Sequence, residues 1–102
     1  MANQIMLKIV TPEGIFIDDK LVDIVNLQTV DGDIGVLYNH APIISTLKIS
    51  VVSYAINGAH TYIHVHRGLV LISQKQVKII TERLYLVDEQ GIRLDDKPLE
   101  AN

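Results

Sequence analysis

The sequence predicts an all-β domain, a sandwich or a barrel. Three observations lead there. Short runs rich in Ile, Val and Leu recur along the 102 residues, each bounded by Gly, Asn, Asp or Pro, and closely spaced short strands are the mark of those architectures. No run shows the i, i+3, i+4, i+7 spacing of a long amphipathic helix. Asn57-Gly58, inside "AINGAHTYIHV", is a strong hairpin signal, because both residues accept the positive φ of a tight primed turn.

In chain order, strands are expected at Ile5–Val10 ("IMLKIV"), Leu21–Thr29 ("LVDIVNLQT") and Ile34–Leu37 ("IGVL"). Ile49–Ile56 and His60–His66 follow as the arms of the Asn57-Gly58 hairpin, then Leu69–Ser73 and Val77–Thr81. On the second hairpin arm Thr61, Ile63 and Val65 share one face, and His60, Tyr62, His64 and His66 the other. The first face is expected to be buried and the second wet. After Asp88 the character changes: "EQGIRLDDKPLEAN" holds Gly91, Asp95-Asp96 and Pro98, which oppose a stable helix. Residues 1–88 are therefore expected to form the domain and 89–102 a loosely ordered tail. No internal repeat or low-complexity tract interrupts the chain.

Composition narrows the functional classes. A chain of 102 residues, 48% hydrophobic, is long enough to bury one continuous core without covalent staples. Without cysteine it has no disulfide framework, thiolate metal site or cysteine nucleophile, which fits a reducing compartment. No apolar run approaches the roughly 20 residues of a membrane-spanning helix, and "MANQIMLKIV" lacks the basic start and small-residue cleavage site of a signal peptide. A soluble intracellular protein is the expectation. The net charge of −3, with nine scattered basic residues, argues against nucleic acid and against an anionic membrane surface as partners.

Candidate chemistry is sparse. His64-x-His66 places two imidazoles on one side of a strand, ~7 Å apart at Cα, so that they could converge on a divalent ion. The spacing resembles the start of the cupin metal motif. Cupins add a Glu four or five residues later, where Val70 and Leu71 stand here. A cupin-like metal-binding sandwich using His64 and His66 is thus the alternative reading, set against two histidines on a solvated hairpin face. His40 and Ser45 are close in sequence, but no G-x-S-x-G elbow precedes Ser45. No phosphate-cradling glycine motif is present. A non-catalytic protein without cofactor or metal is expected.

What remains is "DGDIGVLYNHAPII", Asp31 to Ile44. Turn chemistry explains Asp31, Gly32 and Asn39, whereas Tyr38 and His40 are not needed for a turn. Asp31-Gly32-Asp33 and Tyr38-Asn39-His40 read as two turns bracketing the very short strand "IGVL", which together make a compact recognition loop at one end of a sandwich.

Over residues 5–88 the chain resembles the ε subunit of the F-type ATP synthase, called δ in mitochondria. The family's opening strand and "TPE…F" segment are matched by "KIVTPEGIF" through Phe16, and its "GxLGILPGHAPL" by "GDIGVLYNHAPI" from Gly32 to Ile43. The order of elements continues through "HTYIHVHRGLVLISQKQVKIITE". Tyr38-Asn39 stands where the family usually has Pro-Gly, Arg67-Gly68 where it often has two glycines, and Glu89-Gln90-Gly91-Ile92 follows Val87-Asp88 in place of the motif's Arg and Ala.

The resemblance implies a flattened sandwich of two antiparallel sheets, without the family's C-terminal helical hairpin. It also implies a place at the foot of the central stalk, with α and β subunits in the same complex. One side would bind the γ subunit, with Thr11 and His40 near it. An end loop holding Asp31, Asp33, Tyr38 and Asn39 would face the membrane c-ring. Such a subunit touches the membrane only through the complex, peripherally, at the cytoplasmic face of a bacterial cell membrane.

Overall fold

The computed structural model describes residues 3–94. They form ten strands: β1 (Ile5–Thr11), β2 (Gly14–Val22), β3 (Ile24–Thr29), β4 (Gly32–Val36), β5 (Ile43–Leu47), β6 (Ser50–Ile56), β7 (Ala59–Val65), β8 (Gly68–Ile72), β9 (Gln76–Thr81) and β10 (Leu84–Val87). Pairing divides them into two sets of five, β4-β3-β6-β7-β10 and β5-β8-β9-β1-β2, joined where Thr29 of β3 pairs with Leu47 of β5. The result is a curled sandwich. No helix among the described residues is long and apolar enough to cross a membrane.

The curl comes from one corner that the chain turns repeatedly. β5 belongs to the second set and β6 to the first, and they meet at Lys48-Ile49; β7 passes to β8 at His66-Arg67, and β9 to β10 at Glu82-Arg83. Hydrogen bonding continues across the bends: the His66 N–H donates to the Arg83 carbonyl at 3.0 Å and the Lys48 N–H to the Gln28 carbonyl at 3.1 Å. Buried Thr81 sits at this corner. Its hydroxyl lies 3.0, 3.1 and 3.3 Å from the carbonyl oxygens of His66, Arg83 and Arg67, so it can donate to carbonyls that the bend removes from the regular ladder. Gly68 follows, and a Cβ there would stand 1.9 Å from the Ile80 carbonyl oxygen. Closely packed backbone requires glycine at that position.

Inside, alternate residues interlock. Ile5, Leu7 and Ile9 of β1, with Val77 and Ile79 of β9 and Val70 and Ile72 of β8 on the same sheet, share one cluster with Val25 and Leu27, Val52 and Tyr54, and Ile63 and Val65 of the other. Full burial of each aliphatic side chain stabilises by about 1.5–3 kcal/mol relative to exposure. The expected buried face of β7 holds at Ile63 and Val65, whereas Thr61 is half-buried; on the expected wet face only His60 is exposed, and Tyr62, His64 and His66 are half-buried.

The differences from the sequence reading have local causes. Leu21–Thr29 is not one strand but the end of β2 and all of β3. Val22 pairs with Ile5 in the second set and Ile24 with Ala55 in the first, and the chain crosses between sheets at Asp23. The Asp23 carboxylate accepts the Asn57 N–H at 2.7 Å and the Gln4 side-chain amide at 3.2 Å, anchoring the crossing to the Asn57-Gly58 turn. Most of β2 was not expected because it is an exposed edge strand carrying Asp18, Asp19 and Lys20, the charged pattern by which edges resist further pairing. β5 and β10 were also additional. The pairing is antiparallel throughout except that β1 and β9 run parallel; no turn joins these distant strands, so no turn chemistry announced their direction.

The expected tail begins in order. Asp88 caps a turn, and Arg93 bridges back to Val87; residues 95–102 lie outside the described part.

Candidate functional site

The two expected turns do bracket β4, but they lie at its opposite ends and do not form one compact loop. At the first, the Thr29 hydroxyl donates to the Gly32 carbonyl at 3.0 Å and accepts the Asp31 N–H at 3.1 Å. The Asp31 carboxylate accepts the Ser45 hydroxyl at 2.9 Å, which ties the turn to β5. Asp33, opposite Gln28, is exposed. The two acids therefore differ: Asp31 is partly a structural acceptor, and Asp33 presents its charge to solvent.

The second turn lies beyond the other end of the strand, on the order of 15 Å away by strand rise. Asn39 has φ of 70°, a left-handed conformation that Asn tolerates better than most residues. Its N–H donates to the Gln74 carbonyl at 2.7 Å, fastening this turn to the β8–β9 connection, while the His40 N–H donates to the Leu37 carbonyl at 3.2 Å. The His40 Nδ1 lies 2.7 Å from the Ala41 carbonyl oxygen, so it carries the proton in that contact. Tyr38 is exposed beside them. Asp31 and Asp33 are thus together, as are Tyr38, Asn39 and His40, but the two groups do not meet in one compact loop.

Thr11 closes the β1–β2 hairpin, with its hydroxyl accepting the Glu13 N–H at 3.2 Å and donating to the Gly14 carbonyl at 3.3 Å. It lies at the opposite end of the second sheet from His40. Between them is a surface that the sequence reading missed. Ladder partners align Thr46, Leu69, Ile80, Val10 and Ile15 across β5, β8, β9, β1 and β2. Leu69 is 46% exposed, Ile80 39% and Ile15 55%, and Ile44 at the next level of β5 is 74% exposed. A groove of about 570 Å³ lined by Pro42, Ile44, Leu71 and Lys78 adjoins the His40 end, and one of about 470 Å³ lined by Val10, Thr11, Leu69 and Ile80 adjoins the Thr11 end. Lys8 and Lys78 are partners on the neighbouring row, and Lys8 lies 3.6 Å from Asp18. A legible signal existed: "GLVLI" is apolar on both strand faces and "VKII" puts Ile80 on the same face as Lys78, which a sheet with one wet side does not require.

The histidine pair is on the other sheet. His64 and His66 have ring centroids 5.3 Å apart, and no group of three or more His, Cys, Asp or Glu that could hold a metal occurs among the described residues. Two imidazoles make an incomplete site. A chelator is expected to leave the melting temperature unchanged, as differential scanning calorimetry with and without EDTA would check, because only a tightly held ion stabilises the native state measurably.

Residues 4–87 match the family described as ATP synthase, Delta/Epsilon chain, beta-sandwich domain. The chain belongs to this family. The ε chain of Staphylococcus saprophyticus is 39% identical over 80 residues, 78% of this chain and 60% of that protein. The ε chain of Desulfitobacterium hafniense is 36% identical over 102 residues, 99% of this chain and 74% of that protein. This chain thus spans less than two thirds of the first relative. Two solved structures share the fold: one of the Euglena gracilis mitochondrial ATP synthase, OSCP/F1/c-ring, with a TM-score of 0.80 at 19% identity over 87% of this chain and 57% of the other, and one of the Tetrahymena thermophila mitochondrial ATP synthase central stalk/c-ring, with a TM-score of 0.70 at 10% identity over 97% and 77%.

Membership in the delta/epsilon family replaces the cupin-like alternative. It also gives meaning to two departures. Asn39 stands at the family's glycine position and takes the positive φ that glycine would supply, so the turn survives without Pro-Gly. Of the family's two frequent glycines, the one retained as Gly68 is the one whose side of the backbone is occupied.

Proposed function

We propose that the chain is a non-catalytic central-stalk subunit of a rotary ATP synthase, binding the γ subunit on the outer face of its second sheet and the c-ring along the edge formed by β4. It would sit with α and β subunits in the same complex, peripheral to the cytoplasmic face of a bacterial membrane. The family match over residues 4–87 carries this reading. The apolar row from Leu69 to Ile15 supports it, because a contiguous exposed apolar stripe favours a partner over solvent, and Thr11 and His40 stand at its two ends. For the ring, Asp31 and Asp33 at one end of β4 and Tyr38 and Asn39 at the other make a ribbon of contacts in place of a single loop. A two-sheet body with one continuous core, and with no cluster of metal-ligating side chains among the described residues, suits a part that transmits torque.

The test is assembly of the full chain with α, β and γ and with membranes containing the c-ring. Leu69→Asp combined with Ile80→Asp is expected to abolish co-purification with γ, since burying two carboxylates in an apolar contact is costly. Asp33→Lys should leave γ binding intact and loosen retention on the ring, most visibly at low salt. Asp31→Lys is a poorer probe because it also removes the acceptor for Ser45. A folded double variant that still co-purifies with γ would overturn the assignment of the face.

A further inference from the structure

The outer face of the second sheet is not uniformly apolar. Beside the row that joins Leu69, Ile80 and Val10, ladder partners align Ile44, Leu71, Lys78 and Lys8 across β5, β8, β9 and β1. Lys8 and Lys78 are direct partners on the parallel β1–β9 pair, so their side chains leave the sheet side by side from strands about 4.8 Å apart. Both are half-buried. Like charges on neighbouring strands repel, and the chain itself offsets this only in part. The Lys8 ammonium lies 3.6 Å from the Asp18 carboxylate, a side chain 68% exposed, and no carboxylate among the described residues is within ion-pair distance of Lys78. Lys78 instead lines the groove of about 570 Å³ with Pro42, Ile44 and Leu71. A groove with apolar walls and one unneutralised cation is completed by an apolar body that carries a negative charge.

We infer that Lys78, with Lys8 beside it, is the receptor for a carboxylate that the γ subunit presents from within an apolar contact segment. The inference rests on the γ-binding reading of this face and adds the chemistry of the partner: an Asp or Glu side chain flanked by apolar ones. Contact with Ile44 and Leu71 excludes water from the lysine head while its stem packs on the sheet. In that lower dielectric the ion pair strengthens. A carboxylate shared by the two ammonium groups also relieves their mutual repulsion. Placement matters as much as strength, because the apolar row from Leu69 to Ile15 lies on the Thr11 side of the lysines. A segment with its acid on one flank therefore docks one way round, and charge fixes its register.

The experiment measures the affinity of the full chain for an assembled complex of α, β and γ at low and high salt. Lys78→Gln is expected to weaken binding by about tenfold or more at low salt and to flatten the salt dependence. Lys78→Arg should retain both, and Lys75→Gln, at an exposed lysine of the β8–β9 connection, should change neither. Carbodiimide coupling of the wild-type complex, read by mass spectrometry, should join Lys78 to an Asp or Glu of γ. In the free chain Lys78→Gln should leave the urea midpoint at or above the wild-type value, since it removes an uncompensated charge; a lower midpoint would give Lys78 a role inside the domain and overturn the assignment. A wild-type chain that does not bind would overturn the γ reading and this inference together. A chain that binds, loses binding through Leu69→Asp with Ile80→Asp, and is indifferent to Lys78→Gln at both salt concentrations would leave the γ reading standing and overturn the carboxylate alone.

Discussion

Gly68→Ala is expected to be the most damaging single-methyl change in the domain, removing cooperative folding near room temperature. The added Cβ would lie 1.9 Å from the Ile80 carbonyl oxygen and 2.9 Å from both the Ile80 carbonyl carbon and the Thr81 Cα. All three are backbone atoms, so no rotamer change relieves the overlap. Gly68 pairs with Leu47 on one side and Thr81 on the other, at the corner where strands of both sheets bend together. Separating β8 from β9 would pull Thr81 away from the carbonyls it serves and open the seam above Val70 and Ile79. Overpacking alone costs about 1–3 kcal/mol when side chains can yield; with rigid backbone on one side and buried polar groups losing partners on the other, the cost is expected to exceed that range. Against a total stability of about 5–15 kcal/mol for a domain, this is decisive. Urea denaturation followed by circular dichroism checks it, with Arg67→Ala as the control, since exposed Arg67 should change the midpoint little. A Gly68→Ala protein with a near wild-type midpoint would mean that the corner is looser than described.

What the sequence reveals and what it conceals follow from range. Alternation in "IMLKIV" and "AHTYIHV" is a one-strand property, and β1 and β7 were legible, β7 together with the buried face of Ile63 and Val65. Asn57-Gly58 is a two-residue property, and its hairpin formed as expected, with φ of 51° and 82°. The crossing at Asp23 was hidden because β2 and β3 are both extended and only their partners differ. The parallel β1–β9 pair was hidden because nothing local encodes a contact between strands so distant in sequence. At the candidate site, the two polar turns around "IGVL" were visible, but their separation in space depends on that short strand being fully extended. The apolar outer row needed five strands in register before Leu69, Ile80 and Val10 became one surface. The stack of Arg93, Tyr85 and His64 likewise joins three segments, of which only the one holding His64-x-His66 stood out in the sequence.

Ile63→Ala is expected to lose about 2–4 kcal/mol, whereas His66→Ala should lose no more than about 0.5 kcal/mol, and His64→Ala should fall between them. Ile63 is wholly buried within the core cluster, opposite Val52 on β6 and Leu86 on β10. Truncation there removes three carbons and leaves a cavity that two paired strands cannot readily close. His66 touches only the edge of His64 among the ring contacts. Sequence alone would put both histidines in the inexpensive class, as polar residues on a wet face. The structure separates them, because His64 also supports Tyr85 and, through it, Arg93; an aromatic pair of this kind contributes about 0.5–1.5 kcal/mol beyond area burial. That increment should shrink in acid, when His64 is charged. Guanidinium melts of the three variants at neutral and mildly acidic pH measure the order directly. A His64→Ala protein as stable as His66→Ala at neutral pH would show the stack to be energetically idle, and a His66→Ala loss larger than that of Ile63→Ala would reverse the assignment of β7's faces.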